Sequence, residues 1–325
     1  MQILVTGGAG YIGAHVVRLL RARGDEVIVV DDLVAGRAAR LDGLSVTRME
    51  LSGDSSADEL EALMRMNRVE AVIHFAARKQ VAESVVRPAW YYQQNIGSLA
   101  NVLLAMERAA VRRLVFSSSA AVYGSTEGAA ISETDATQPI SPYGETKLIC
   151  EKLVTAATRA FDLRAASLRY FNVAGAGWPE LGDNAISNLV PMVFERVDAG
   201  EPPLIFGNDY PTPDGTCIRD YVHVLDLADA HVASLDRLAG DADGHSVFNV
   251  GTGTGTSVRE MIDVIGRVAG ASPEPRVLPR RPGDAARVVA SPRKIEEQLR
   301  WRPRRGVQEI VSSAWEAHRW SAKRQ

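Results

Sequence analysis

A glycine-rich turn near the start of the chain, Thr6–Gly13, limits the possible fold more than any other feature of the sequence. It follows an apolar run that predicts a strand, Ile3–Thr6, and it opens a helical pattern over Ile12–Arg23. The glycines that satisfy the spacing G-x-G-x-x-G, or the related G-x-x-G-x-x-G, are Gly7, Gly8, Gly10 and Gly13. Glycine allows a tight turn and a close approach of the backbone to a pyrophosphate, which the helix N-terminus then binds. Strand, turn and helix in this order predict a dinucleotide-binding unit.

An acidic residue, Asp31, ends the next predicted strand, about 20 residues beyond the turn. Its carboxylate can accept hydrogen bonds from the ribose hydroxyls of a dinucleotide, and it would repel a 2′-phosphate. The next two positions, Asp32 and Leu33, hold no Arg that could bind such a phosphate. These residues favour NAD over NADP.

Short β-branched runs alternate with helical patterns through the first half of the 325 residues. The predicted strands are Ile3–Thr6, Glu26–Val30, Leu44–Met49, Ala71–Phe75, Leu114–Ser118 and Ala165–Tyr170. The predicted helices are Ile12–Arg23, Ala57–Met66, Ala89–Ala110 and Tyr143–Ala160. This alternation predicts an α/β fold, in which helices cover both faces of a parallel sheet. Right-handed crossovers give that sheet a doubly wound Rossmann order.

The pattern loosens after residue 171, where prolines interrupt it, and we expect a smaller lobe there. In a doubly wound fold, ligands bind outside the carboxyl ends of the strands, and such a lobe would lie over them. We therefore expect an NAD-binding Rossmann domain over residues 1–171 and a mainly substrate-binding lobe over residues 172–325. Residues 222–252 are expected to return to the first domain, through a helix within Val222–Leu238 and a strand at Val247–Val250.

The composition argues against several classes of function. A formal net charge of −3 gives no broad attraction to nucleic acid or to anionic lipid. The two cysteines, Cys150 and Cys217, are far apart, which predicts neither a disulfide framework nor a metal site and indicates a reducing compartment. The N-terminal sequence lacks the pattern of a signal peptide, and no run of about 20 apolar residues occurs. We expect a cytoplasmic protein without metal, nucleic-acid or membrane partners.

Tyr143 and Lys147 are four residues apart at the start of a predicted helix, so they share one of its faces. A phenol with an ordinary pKa of about 10 is a poor base at neutral pH. A nearby ammonium group, together with a positive nicotinamide, would stabilise the phenolate and lower the pKa of Tyr143. Ser119 follows the strand that precedes this helix, and its hydroxyl can bind a reacting hydroxyl or carbonyl group. These three residues are the candidate catalytic group.

Motifs along nearly the whole chain resemble those of the extended short-chain dehydrogenase/reductases and, more narrowly, of the UDP-glucose 4-epimerases. The matching stretches are Val5–Gly13, Val72–Ser84, Phe116–Gly124, Ser141–Lys147, Arg169–Gly175, Ile205–Asp229 and Arg280–Asp284. Within them, Ile205–Thr212 and Asp214–Val224 are especially specific. The resemblance implies NAD-dependent 4-epimerisation of a UDP-hexose by oxidation at C4, rotation of the 4-keto sugar and return of the hydride. It also implies a homodimer, in which Ala89–Ala110 and Tyr143–Ala160 pair with their symmetry mates as a four-helix bundle.

The resemblance assigns roles to individual residues. It makes Tyr143 the base, Lys147 its electrostatic partner and Ser119 the third catalytic member. The residues that it implies around NAD are Gly7, Gly10, Tyr11, Ile12, Gly13, Asp31, Asp32, Leu33, Glu50, Leu51, Phe75, Ala76, Ala77, Lys79, Asn95, Ser117, Tyr143, Lys147 and Phe171. Those that it implies around the UDP-sugar are Lys79, Ser119, Tyr143, Asn172, Asn188, Leu189, Leu204, Ile205, Phe206, Arg219, Arg281, Asp284 and Val288. The two Arg make physical sense, because guanidinium groups match diphosphate oxygens.

Other readings of the same motifs stay in view. A nucleotide-sugar 4,6-dehydratase must eliminate water, and its Asp-Glu pair is replaced here by Ala120 and Ala121, which cannot transfer protons. A 4-epimerase for UDP-glucuronate or a UDP-pentose remains an alternative. A non-catalytic NAD(H)-sensing protein on the same fold is an alternative of another class. For His223, which alternates with apolar residues, we expect a structural hydrogen bond and not catalysis.

The sequence departs from the family pattern at several positions. Glu50 replaces the Asp expected near the adenine, Ala121 replaces a Thr, and Ser291 replaces an Asp. In this family the position seven residues beyond Arg281 forms a wall of the pocket near C2 of the sugar. That position is Val288, which is much smaller than the Tyr that leaves room for a hydroxyl only. We therefore expect N-acetylated UDP-hexosamines to be accepted beside the unsubstituted sugars.

Overall fold

The computed structural model describes residues 1–125, 128, 130–183, 185–186, 188–240, 242–271, 274–281 and 283–323, so Pro282 of the Arg280–Asp284 motif lies outside the described residues. The chain forms two compact units. The first unit consists of Met1–Gly124, Ala136–Tyr170 and Ala228–Phe248. The second unit consists of Ser125–Asp135, Phe171–Leu227 and Asn249–Gln325.

The strands, in chain order, are β1 Gln2–Thr6, β2 Glu26–Asp31, β3 Val46–Arg48, β4 Ala71–His74, β5 Arg113–Ser119, β6 Arg164–Tyr170, β7 Asn172–Ala174, β8 Leu204–Phe206, β9 Ile218–His223, β10 His245–Val250, β11 Gly255–Ser257, β12 Arg276–Leu278 and β13 Arg287–Val288. The helices are α1 Tyr11–Ala22, α2 Ser56–Met66, α3 Val81–Val86, α4 Pro88–Arg108, α5 Pro142–Ala160, α6 Leu189–Asp198, α7 Val224–Ala239, α8 Val258–Ala269, α9 Arg293–Leu299 and α10 Val307–Ala322. Short 3₁₀ turns occupy Ala38–Leu41, Ala120–Val122 and Pro179–Leu181.

In the described residues, a seven-stranded sheet with the order β10-β6-β5-β4-β1-β2-β3 forms the centre of the first unit. The pairs from β3 through β1 and β4 to β6 are parallel, as the sequence pattern predicted. The order of the strands reverses between β1 and β4, and ligands bind beside such a switch point in doubly wound sheets. Thr6 pairs with His74, and the next strand ends at Ser119. The carboxyl ends of β1, β4 and β5 therefore lie at one edge of the sheet.

Helices α4 and α5 pack against each other beside this sheet. Leu99 and Met106 of α4 and Val154 of α5 are buried together with Leu4 and Leu114 of the strands. Burying one such side chain stabilises a fold by about 1.5–3 kcal/mol, so this core fixes the two helices on the strands.

The ends of several elements differ from the sequence prediction. The third strand is short, Val46–Arg48, instead of Leu44–Met49. The long helix begins at Pro88, because proline suits the first turn of a helix, where its missing N–H costs nothing. Helix α5 likewise begins at a proline, Pro142, and the Ser141 hydroxyl accepts a hydrogen bond from the N–H of Gly144 at 3.2 Å. Helix α3 was not predicted, because its six residues are too short for a helical period to stand out.

The second unit contains two smaller sheets among its described residues, one with the order β11-β9-β13, in which β7 also pairs with β9, and one formed by β12 and β8. Its core includes Phe194, Ile205, Ile262 and Ile310. Buried Asp220 of β9 accepts hydrogen bonds from the backbone N–H groups of the loop that follows β10 and of the segment after β13. These bonds hold β9 beside β13. No described helix is long and apolar enough to cross a membrane.

Candidate functional site

The glycine turn has the backbone that a bound anion needs. Gly7 has a φ of +70°, a conformation that favours glycine, and a Cβ atom there would lie 2.6 Å from the backbone nitrogen of Ala76. A Cβ atom at Gly13 would lie 2.3 Å from the carbonyl oxygen of Gly7. Side chains at these positions would force the turn open. The turn leads directly into α1, whose first N–H groups point toward it and provide the positive end of a helix dipole.

Asp31 is almost completely buried at the end of β2, directly beside the glycine turn. One of its carboxylate oxygens accepts a hydrogen bond from the N–H of Ala9 at 3.0 Å, and the other accepts one from Leu33 at 2.9 Å. Burial raises the pKa of Asp31, and these two hydrogen bonds lower it. Each carboxylate oxygen has two lone pairs, so the side chain keeps acceptor capacity for ribose hydroxyls.

An arginine reaches the neighbourhood of Asp31 from a distant part of the chain. The Arg78 Nη2 atom lies 2.6 Å from the Asp32 carboxylate, and the guanidinium also donates to Gln94. Gln94 in turn donates to Glu50 at 2.9 Å. The sequence prediction considered positions 32 and 33 only, and it missed this cation because Asp32 and Arg78 are 46 positions apart. This contact forms because β4, β1 and β2 are adjacent parallel strands, so residue spacing along the chain gives no sign of it.

The Asn95 side chain connects the segment after β4 to α4 and α5. Its amide oxygen accepts from the N–H of Arg78 at 2.8 Å, and its amide nitrogen donates to the carbonyl of Arg78 and the hydroxyl of Thr146, both at 3.0 Å. The predicted cofactor residues Phe75, Ala76 and Ala77 lie half-buried in this segment, while Lys79 is exposed. Asn95 therefore fixes a loop that directly follows a strand end of the switch point.

The other predicted cofactor residues of the first unit are distributed around the same strand ends. Tyr11 and Ile12 begin α1, whereas Glu50 and Leu51 follow β3. Ser117 belongs to β5, and its carbonyl oxygen accepts a hydrogen bond from Lys147. Phe171 belongs to the second unit.

The candidate catalytic residues meet where the N-terminus of α5 approaches the turn after β5. The Ser119 hydroxyl accepts a hydrogen bond from the N–H of Ala121 at 3.2 Å and lies near enough to the Tyr143 phenol to influence its pKa. The Lys147 Nζ atom donates to the Ser117 carbonyl at 2.8 Å and lies 6.0 Å from the centroid of the Tyr143 ring. A Cβ atom at Gly144 would lie 2.5 Å from the carbonyl oxygen of Ala121, so this close approach requires glycine.

The protonation of this group is dominated by burial. Burial raises the pKa of the Tyr143 phenol, and the hydrogen bond with Ser119 lowers it. Lys147 is not among the causes of this shift in the pKa of Tyr143, so its predicted lowering of that pKa together with a positive nicotinamide stays a prediction. Burial lowers the pKa of Lys147 to about 8, while the nearby thiol of Cys150 and the carboxylate of Glu151 raise it. Near neutral pH the ammonium group keeps its charge.

The second unit brings together several predicted substrate residues. Arg219 of β9 donates to the carbonyl of Ala285 at 2.8 Å, and its Nη2 atom lies 3.4 Å from the Asp284 carboxylate. Val288 of β13 is half-buried and pairs in register with Arg219. The guanidinium carbon of Arg281 lies 3.7 Å from the centroid of the Phe206 ring. The two Arg are thus each held by a partner that could also contact a nucleotide.

The remaining predicted substrate residues occupy different elements of the second unit. Asn172 is exposed on β7, and Asn188 and Leu189 lie at the start of α6, where Asn188 donates to Asp183. Leu204 and Ile205 belong to β8, and Ile205 is buried in the core. Because the side chain of Ile205 is buried, this residue can contact a ligand only through its main chain.

His223 has the structural environment that the sequence analysis expected. Its Nδ1 atom accepts from the N–H of Leu225 at 3.0 Å, and its Nε2 atom lies 3.0 Å from the Ser313 hydroxyl. Burial lowers its pKa to about 4, so the ring is neutral. Within the part of the chain that the structure describes, no group of His, Cys, Asp and Glu side chains is arranged to hold a metal ion.

The chain is similar in sequence and in fold to known proteins of one family. The model of the NAD dependent epimerase/dehydratase family matches residues 3–251. The UDP-glucose 4-epimerase of Azospirillum brasilense is 45% identical over 323 residues, covering 97% of this chain and 92% of the relative. The crystal structure of a UDP-glucose 4-epimerase from Stenotrophomonas maltophila, with bound NAD and formylated UDP-arabinopyranose, has a TM-score of 0.94 at 37% identity and covers 100% of both chains. The UDP-Glc/GlcNAc 4-epimerase of Campylobacter jejuni has a TM-score of 0.85 at 34% identity, covering 98% of this chain and 99% of that one.

Proposed function

The chain belongs to the NAD dependent epimerase/dehydratase family, and we propose that it catalyses the 4-epimerisation of a UDP-hexose with NAD as cofactor. The observation that carries this proposal is the approach of Ser119, Tyr143 and Lys147 at the strand edge beside the switch point. An epimerase of this kind needs one acid–base group that can remove a proton and return it, and Tyr143 has the partners for that task.

The residues present fit NAD. Gly7 and Gly13 leave no room for side chains, so the turn keeps its backbone N–H groups open to a pyrophosphate, and Asp31 offers acceptors to ribose hydroxyls. When bound, NAD would supply the reversible hydride acceptor that oxidation and reduction at C4 of the sugar require. We assign the cofactor contacts to the glycine turn, to Asp31 and to the segment after β4 that Asn95 holds.

Tyr143 is the acid–base group in this proposal. Its phenolate oxygen takes the proton of the 4-hydroxyl, and the phenol gives a proton back once the sugar has turned over. Ser119 hydrogen-bonds to the same sugar oxygen and keeps it in line with Tyr143. The charge of Lys147, 6.0 Å from the ring centroid, stabilises the phenolate. A dehydratase requires proton-transferring side chains at the two positions that follow Ser119. Ala120 and Ala121 occupy these positions here and cannot transfer protons, which argues against the elimination of water.

The second unit holds the UDP part in this proposal. Arg219 and Arg281 bind the diphosphate as guanidinium forks, Phe206 stacks against the base, and Asp284 accepts from the ribose. Rotation of the 4-keto sugar needs UDP held firmly and the hexose held loosely. Val288 leaves space near C2 of the sugar, so N-acetylated hexosamines are accepted as well. The Campylobacter jejuni relative carries both sugars in its name.

We place the protein in the cytoplasm as a homodimer. Cys150 and Cys217 are free thiols, which suits a reducing compartment. Helices α4 and α5 pack as a pair, and Leu104 of α4 is 42% exposed. Two such pairs can bury this surface as a four-helix bundle around a two-fold axis.

Incubation of the purified chain with UDP-galactose, UDP-N-acetylgalactosamine and UDP-galacturonate in separate reactions, with chromatography of the products, tests the proposal. We expect UDP-glucose from the first substrate and UDP-N-acetylglucosamine from the second. If UDP-galacturonate is the single substrate converted, the protein is a UDP-uronate 4-epimerase and not a UDP-hexose 4-epimerase. No conversion of any of the three, in protein that retains NAD, would favour a non-catalytic NAD(H)-binding protein.

A further inference from the structure

The cation Arg78 lies on the adenosine side of the proposed cofactor site, and the neighbouring carboxylate of Asp32 neutralises it. Arg78 and Asp32 form an ion pair with 2.6 Å between Nη2 and Oδ2, and their side chains are 18% and 26% exposed. Asp32 directly follows Asp31, which favours NAD by its repulsion of a 2′-phosphate. Arg78 lowers the pKa of Asp31 and Asp32 raises it, so both charges act on the Asp31 carboxylate. The guanidinium of Arg78 therefore lies in the region where the 2′-phosphate of NADP would be bound.

The guanidinium of Arg78 is held on a second side by Gln94. The Gln94 amide oxygen accepts from Nε at 3.1 Å and from Nη2 at 3.0 Å. The amide nitrogen of Gln94 donates to Glu50 at 2.9 Å and to the hydroxyl of Ser52 at 2.7 Å, which fixes the amide in this orientation. The fork of Arg78 is thus hydrogen-bonded to Asp32 and Gln94, and its guanidinium carbon also lies 5.3 Å from the centroid of the Trp90 ring.

We infer that Asp32 and Arg78 are a pair that determines cofactor specificity, in which Asp32 prevents Arg78 from binding a 2′-phosphate. Guanidinium forks match phosphate oxygens, and an Arg in this region is what accommodates the 2′-phosphate of NADP. With Asp32 charged, NADP would have to displace a carboxylate from Arg78 and also face Asp31 and Glu50. Loss of the Asp32 charge frees the guanidinium, and the same Arg then attracts the phosphate.

The test compares the nucleotides that the full chain retains, which is a readout independent of turnover. Wild-type protein and Asp32→Asn are incubated with equal concentrations of NAD and NADP, separated from free nucleotide, denatured and analysed by chromatography. We expect NAD almost alone in the wild type, and an NADP-to-NAD ratio about tenfold higher in Asp32→Asn, because one charge-assisted contact is gained. An unchanged ratio in Asp32→Asn would overturn the inference.

Two double variants identify the cation. Asp32→Asn with Arg78→Gln should lose the gain in NADP, because the phosphate-binding group is gone. Asp32→Asn with Arg37→Gln should keep it, although Arg37 is an exposed cation only six positions beyond Asp31. A gain that survives Arg78→Gln, or that depends on Arg37, would also overturn the inference.

The inference rests on the NAD site of the proposed function, and the assay separates the two. Wild-type protein that retains neither nucleotide would contradict the cofactor proposal itself. Arg78→Gln alone supplies a further measurement if Asp32→Asn fails to fold. That variant should leave NAD bound and reduce the small NADP fraction further, whereas a rise of that fraction would count against the inference.

Discussion

Arg169 and Glu151 form a two-pronged ion pair inside the first unit, with 2.9 Å from Nε to Oε1 and 2.6 Å from Nη2 to Oε2. Their side chains are only 7% and 5% exposed. Glu151 also accepts a hydrogen bond from Ser118, and Arg169 donates to the hydroxyl of Tyr123 at 2.9 Å. This pair ties α5 to β5 and β6. Because Glu151 lies four residues beyond Lys147, it fixes the helix face that carries the candidate base.

Glu151→Gln should destabilise the fold by about 3–5 kcal/mol, because it leaves the buried charge of Arg169 without a partner. Chemical unfolding of the two proteins measures the difference. A matched control is Glu297→Gln, which breaks the exposed pair with Arg293, whose side chains are 61% and 84% exposed. This control should change stability by less than about 1 kcal/mol. Equal effects of the two variants would contradict a special role for the buried pair.

Turnover should fall as the pH rises through about 8, the pKa to which burial lowers Lys147. The charged ammonium stabilises the phenolate, and deprotonation removes that charge on the alkaline side. The measurement is the rate of epimerisation from about pH 6 to about pH 10. Lys147→Arg, which stays charged over this range, should lose the alkaline decline even if it is slower overall. In Glu151→Gln the decline should move to lower pH, since that carboxylate raises the pKa of Lys147. A wild-type rate that keeps rising beyond pH 8 would refute this role.

Tyr143→Phe should lower turnover by about 10²–10⁴-fold, the typical contribution of a positioned acid–base group. The ring remains, so the content of bound NAD and the affinity for UDP should stay close to wild type. Steady-state rates and UDP titration check the two halves of this statement. A variant with near-normal turnover would remove Tyr143 from the mechanism.

Val288→Tyr should lower turnover of UDP-N-acetylgalactosamine by about tenfold or more and spare UDP-galactose. Overpacking a site costs about 1–3 kcal/mol, and only the N-acetyl group would meet the new ring. The ratio of kcat/KM for the two substrates measures the effect. If wild-type protein converts neither N-acetylated sugar, then Val288 does not control this space.

Sedimentation should show a dimer of the wild-type chain at micromolar concentration. Leu104→Asp should shift it toward monomer, because a charge on the exposed face of α4 would be buried between the two copies. Val277→Asp is the matched control, since Val277 is 41% exposed in the second unit and should leave the dimer unchanged. A wild-type monomer at that concentration would reject the four-helix bundle.

The parts of the site that the sequence predicts are local in the chain. The glycine turn and the pair Tyr143 and Lys147 can be recognised from residue spacing within a short segment, and one helical turn brings the latter two to one face. The end of β2 could be placed for the same reason, because its β-branched residues stop at Asp31. Local spacing is thus enough for these residues.

The parts that the sequence does not predict depend on the order of strands in the sheet. Arg78 reaches Asp32 because β4 lies on one side of β1 and β2 on the other. Arg169 reaches Glu151 because β6 pairs with β5 beneath α5. The direction of the pKa shift of Tyr143 could not be predicted either, because it depends on how much water the folded chain removes from the phenol.

The path of the chain through the first unit also sets an order for its synthesis. Strand β10, which covers one edge of β6, lies beyond the residues of the second unit that end at Leu227. On the ribosome, β6 can pair with β5 at once, but β10 emerges only after the intervening residues, so the opposite edge of β6 stays uncovered in the interval. An open strand edge is a site at which chains pair with one another. Until β10 is made, this edge of β6 is therefore open to pairing with another chain.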